Sequence, residues 1–151
     1  MAPPITLNGR QLLVQIGDGA DPEVFTHDCL INTERGIAFA SETNRETIPD
    51  CADPEAPGWS VMNKSGLSAT ISGAGRLHTP SVETWFNWFN SDDTKNVRVL
   101  LNGVALANGG GYWAGAFKLT AFEATGPETG RAAVSVTIES DGEVTWVDAA
   151  A

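Results

Sequence analysis

The sequence predicts a mainly β protein, an antiparallel β-sandwich or barrel with one flanking α-helix at about residues 80–90. Three observations predict it. In the stretch LSATISGAGRL, Leu67, Ala69, Ile71, Gly73, Gly75 and Leu77 fall on one face while Ser68, Thr70, Ser72, Ala74 and Arg76 fall on the other, the period of two of a half-buried strand. Immediately afterwards the period changes, because Val82, Trp85, Phe86 and Phe89 recur at i, i+3, i+4 and i+7 and line one side of a helix. Elsewhere, sixteen glycines and eight prolines punctuate short runs rich in Val, Thr and Ser, the spacing of strands and turns. At 151 residues the chain is expected to form one domain, 1–151, with a core large enough to fold without disulfides or metal.

Taken in order, residues 11–16 (QLLVQI) read as a first strand and 17–22 (GDGADP) as a turn. A second strand starts at Val24 and continues through Phe25, Cys29 and Ile31, with Thr26 and Asp28 in the alternate register; Gly36 interrupts it before Ile37. The character then shifts. Residues 41–58 (SETNRETIPDCADPEAPG) hold Glu42, Glu46, Asp50, Asp53 and Glu55 against the single base Arg45, with Pro49, Pro54 and Pro57. This is a long acidic loop or a loose hairpin with a Pro-rich tip. Connections of that length are usually functional or disordered, and both order on contact with a partner and plain disorder stay open for it.

For the helix, Thr79 is the expected N-cap, Pro80 suits the first helical position and Glu83 lies near the positive end of the dipole. Val82, Trp85, Phe86 and Phe89 are its expected core stripe, worth about 1.5–3 kcal/mol each on burial, so that Phe86→Ala is expected to cost about 3–5 kcal/mol. Trp88 lies off that stripe. Beyond the helix, Val97, Val99 and Leu101 alternate before an Asn102-Gly103 turn, with a short return strand expected at 104–106. A long strand over 112–123 puts Trp113, Phe117, Leu119 and Ala121 on one side. Residues 132–140 turn Val134, Val136 and Ile138 inward, and Asp141-Gly142 reads as a two-residue hairpin turn into 143–147.

Charge and motifs exclude several functions. Nineteen acidic residues against nine basic ones give a net charge of −10, without a basic cluster, which disfavours tight binding to nucleic-acid phosphates. No GxSxG, HExxH or GxxxxGK[ST] is present, and Gly73-Ala74-Gly75 sits inside a strand, so no catalytic residue, metal site or cofactor is expected. His27 and Cys29 share a strand face and could seed a metal site were other ligands to join them; a packed Cys beside a surface His is the plainer reading. Asp18, Asp21 and Glu23 share only acidity with a calcium loop. Cys29 and Cys51 read as free thiols. The N-terminus lacks a basic segment followed by an apolar one, and no run of about 18 apolar residues occurs, so the chain reads as soluble and cytoplasmic at synthesis. Of five tryptophans, Trp85, Trp113 and Trp146 fall in core patterns, and Trp59 and Trp88 are free to serve a surface.

The order of motifs is similar to that of a known family. An N-terminal strand, an acidic segment with TNRETIPDC, a downstream GW, then NKSGLSATISGAG, an aromatic helix and GGGYWAGAFKLTAFEATG together resemble the major tail tube protein of long-tailed, siphovirus-like phages and gene-transfer agents, over about residues 11–147. Similar tube proteins often read VTN with a nearby SG and W where this chain has ETIPDC, a departure that concerns the loop more than the fold. The resemblance implies a structural virion protein, not an enzyme, made in the host cytoplasm. Its hexameric rings stack into a hollow tail tube through which DNA passes without specific binding. It implies an inter-ring contact by the acidic segment, here Glu42, Glu46, Asp50, Asp53, Glu55 and Trp59, with tape-measure, tail terminator and distal tail proteins as further partners and no membrane. The alternatives are another tail component, such as a terminator or baseplate ring protein; a carbohydrate-binding β-sandwich, which needs Trp59, Trp88 or Tyr112 exposed on one face; and a hydrolase, which needs a carboxylate pair in a cleft.

Overall fold

A computed structural model describes residues 3–19, 22–27 and 30–149. Its strands are β1 (Leu12–Gly17), β2 (Phe25–His27), β3 (Glu34–Ile48), β4 (Trp59–Arg76), β5 (Lys95–Leu101), β6 (Gly111–Thr125) and β7 (Ala133–Asp148), with the α-helix α1 (Thr79–Asn90) between β4 and β5. The strands form one seven-stranded antiparallel sheet in the order β2-β1-β5-β6-β7-β4-β3. The mainly β class with one helix is therefore as expected. The chain divides into two compact units, residues up to 38 together with those from 69 onward, and Phe39–Ser68.

In the larger unit the apolar face of each strand meets the apolar face of the next. Val14 is opposite Val99, Ile71 opposite Ile138, and Ile138 opposite Leu119. These residues, with Ala69, Val97, Phe117, Val134 and Val136, are buried. Burial at roughly 1.5–3 kcal/mol for each large side chain is what holds the unit against its ordering entropy. Leu30 and Ile31, expected in a second strand, instead leave the sheet and enter the core. Two glycines make room for them: a Cβ on Gly73 would lie 2.5 Å from Ile31 Cγ2, and one on Gly75 would lie 2.7 Å from the Leu30 carbonyl oxygen. The crossing segment is then tied to β4. Asn32 Nδ2 donates to the Arg76 carbonyl at 2.9 Å, Arg76 N–H donates to Asn32 Oδ1 at 2.9 Å, and Thr33 N–H donates to the Ala74 carbonyl at 3.1 Å.

The helix corrects the expected stripe. Trp85 and Trp88 are its buried residues, whereas Phe86 and Phe89 are 53% and 45% exposed and Val82 is half-buried. Trp88 decides the rotation. Its indole N–H donates to the Asp93 carbonyl at 3.1 Å, its ring lies 5.6 Å from that of Trp85, and the Lys95 ammonium stands 5.5 Å from it. Those partners lie beyond the helix, where helical periodicity carries no information, and the larger indoles win the inner face over the two phenylalanines. The start shifts by one residue as well: His78 is the N-cap, without a side-chain cap bond, and Thr79 and Pro80 open the helix.

Two turns differ too. Residues 104–106 form no strand; a short 3₁₀ turn, Leu106–Asn108, follows the Asn102-Gly103 corner instead. Asp141-Gly142 does not reverse the chain, because β7 runs through it. The ladder with β6 shifts there, with Ser140 opposite Phe117 and Val144 opposite Gly115, and Gly142 takes φ 115°. The left-handed freedom that suits Gly to a hairpin turn serves a bulge here.

Candidate functional site

The residues singled out as possible ligands are not gathered into a metal site among the described residues. His27 Nδ1 lies 2.9 Å from the Val14 carbonyl oxygen, which can only accept, so that nitrogen carries the proton and the lone pair is left on the other ring nitrogen. Cys29 and Asp21 lie outside the described residues. Asp18 Oδ1 accepts from the Val24 N–H at 3.1 Å and Glu23 Oε2 from the Gly19 N–H at 3.0 Å, so these acids close a turn. No group of three or more His, Cys, Asp or Glu side chains among the described residues is arranged to hold a metal. The sugar-stacking platform is not assembled either. Trp88 is buried and the ring of Tyr112 is covered by the Arg98 guanidinium at 4.7 Å, which leaves Trp59 alone.

The feature that stands out is the smaller unit. Residues 41–58 resolve into the hairpin alternative: β3 continues to Ile48, β4 starts at Trp59, and 49–58 form the tip. Every residue of β3 from Ala38 to Ile48 is exposed, which explains why the segment lacks alternation: with neither face buried, nothing selects for a period of two. Yet apolar residues are present, and Phe39, Ile48, Val61, Met62 and Leu67 are exposed together with Trp59, at 91%. The expectation for Leu67 as part of an inward face ends at this boundary. Glu42, Glu46, Asp50, Asp53, Glu55 and Trp59 are all exposed on this one hairpin. Six large apolar side chains left exposed on one short segment are more than a monomer's surface ordinarily carries there.

The tip itself is ordered by its own backbone. The Ala52 N–H donates to Asp50 Oδ1 at 2.9 Å, the Asp53 N–H to the Asp50 carbonyl at 3.2 Å and the Ala56 N–H to the Asp53 carbonyl at 3.2 Å. Three prolines fix further dihedrals. Gly58 closes the tip against Ile48, whose carbonyl oxygen would lie 2.6 Å from any Cβ there. Below it, Arg45 donates to Ser60 Oγ at 3.4 Å and Ser65 Oγ to the Glu42 carbonyl at 3.3 Å.

The larger unit carries two grooves that sequence patterns did not indicate. One, of about 710 Å³, is floored by small residues of β4 and β7 and flanked by Arg10, Glu34 and Arg35. The other, of about 520 Å³, holds Arg98 between the rings of Phe25 and Tyr112, beside Glu23 and Glu143. Neither shows a nucleophile–base pair.

Residues 6–146 match the family described as phage tail tube protein. The chain belongs to the phage tail tube protein family. Its fold is similar to that of a subunit in the tail of an empty gene transfer agent particle refined with C6 symmetry, at 22% identity and a TM-score of 0.74, covering 94% of this chain and 99% of that one. A chain of the native gene transfer agent virion is 20% identical with a TM-score of 0.71, over 94% of this chain and 99% of that one. The SPP1 tail tube chain is 8% identical with a TM-score of 0.65, over 95% and 80%. No curated protein sequence matches. As a tail tube family member the protein is a structural component of a virion or gene-transfer particle tail. No described helix is long and apolar enough to cross a membrane.

Proposed function

We propose that this tail tube protein assembles as hexameric rings stacked into a hollow tube, with the hairpin Phe39–Ser68 as the contact from one ring to the next. The observation that carries the reading is the exposure on that hairpin of Trp59 and five other large apolar residues, which a monomer leaves in water and a stack of copies buries. The C6 symmetry of the similar gene transfer agent tail supports six copies per ring. Sheet edges at β2 and β3 supply unpaired backbone groups for lateral pairing. A net charge of −10 suits a conduit for DNA, since a wall of like sign does not hold phosphates. In this reading the protein is one domain with no catalytic role, and tape-measure, terminator and distal tail proteins meet the tube at its interior and ends.

Removal of residues 50–57 tests it. The shortened chain is expected to remain a folded monomer by circular dichroism and to form no tubes under electron microscopy at concentrations where the full chain does. Tubes of normal length from the shortened chain overturn the inter-ring role of the hairpin.

A further inference from the structure

Resting on that reading, we infer that the groove flanked by Arg10 and Arg35 is the seat for the hairpin tip of a second copy, with Asp53 and Glu55 of the incoming tip set against the two guanidinium groups. The groove is roomy because small residues line it: Gly36, Ser72, Ala74 and Ser135 border a space of about 710 Å³. Its charge is unusual for this chain. Two of nine cations face it against one acid, Glu34, in a protein of net charge −10. The smaller groove has the opposite balance, one arginine beside Glu23 and Glu143, and repels an acidic ligand.

The groove is also prepared in advance. Arg35 donates through Nε to the Leu12 carbonyl and through a terminal nitrogen to the Arg10 carbonyl at 2.7 Å, which fixes its guanidinium before anything binds. The tip matches it in sign and rigidity. From Glu46 to Asn63 the chain has no Lys or Arg, while Asp50, Asp53 and Glu55 stand on turns already closed by backbone bonds and prolines. Asp50 Oδ1 already accepts from the Ala52 N–H at 2.9 Å, which holds that carboxylate back in the turn and makes Asp53 and Glu55 the more available groups for the arginines. Two preorganised, oppositely charged surfaces lose little conformational entropy on joining.

Charge exchange in the full-length chain tests the pairing, with tube formation followed by electron microscopy and the critical concentration by sedimentation. Arg10→Glu and Glu55→Lys are each expected to raise the critical concentration at least tenfold, and the chain carrying both to recover most of that loss. Both positions are exposed, and circular dichroism checks that each variant is folded. Native Cys51, exposed on the tip, gives a second readout. In Arg10→Cys, mild oxidation is expected to yield a ladder of covalently linked chains on a non-reducing gel, abolished by Cys51→Ser. If Glu55→Lys blocks tubes while Arg10→Glu does not, or the double exchange stays unassembled, the seat is elsewhere although the hairpin contact stands. A disulfide formed only within one chain overturns the second copy as occupant. Tubes from the chain lacking residues 50–57 overturn the underlying reading itself.

Discussion

Single residues decide the packing at two places, and both are open to measurement. Trp85 is buried and Phe86 beside it is 53% exposed, so Trp85→Ala is expected to cost about 3–5 kcal/mol and Phe86→Ala under about 1 kcal/mol in urea unfolding of the monomer. Equal losses at the two positions contradict the helix rotation set by Trp88. At Gly73 a methyl group collides with Ile31, whereas at Gly36 nothing lies within 4 Å. Gly73→Ala is expected to lower stability by roughly 1–3 kcal/mol, with Gly36→Ala as a near-neutral control in the same assay. The alternation of Leu67 to Leu77 made the strand legible, and the glycines within it fitted the pattern. Their purpose did not show, because the Leu30–Asn32 segment that crosses them lies more than forty positions away in the chain.

At the scale of elements, the sequence was informative wherever one face is buried. β5 and most of β7 follow alternation that any reader of the chain finds. β6 follows it as far as Leu119, where a register shift leaves Ala121, expected inside, exposed and brings Phe122 against the core. α1 keeps its expected span to within a residue, although Trp85 and Trp88 are its buried residues. It was silent where burial comes from elsewhere. β3 is a strand of 15 residues whose later part has no buried face, so the polar run SETNRET reads as loop although Thr43, Thr47 and Ile48 suit extended backbone. The Asp-Gly pair misled for a related reason: the dihedral it favours fits both a turn and a bulge, and only the partner strand chooses. Restoring an ordinary residue there probes the choice. Gly142→Val is expected to destabilise the subunit by about 1–2 kcal/mol in urea unfolding while leaving the chain able to fold, since φ 115° is costly for a β-branched side chain.

For the whole molecule, charge and exposed apolar surface act in opposition. The family was legible in motif order, and the acidic segment stood out by composition; the groove did not, since it joins Arg10, Arg35, Ser72 and Ser135 from four separate parts of the chain. The sequence pI of about 4.4 makes the balance measurable. As pH falls from 7 toward that value, carboxylates take up protons and net negative charge shrinks, so light scattering is expected to report growing self-association of the full chain. A monodisperse solution at pH 4.5 contradicts this. The exposure of Trp59, Phe86 and Phe89 on so acidic a subunit carries a kinetic consequence. Contact between two lone copies sets like charges together before enough apolar surface is covered, whereas a copy joining a finished ring covers much more at once. If rings stack as proposed, free subunits are expected to form a supersaturated pool, slow to nucleate and quick to elongate, with the number of tubes set by the number of starting rings.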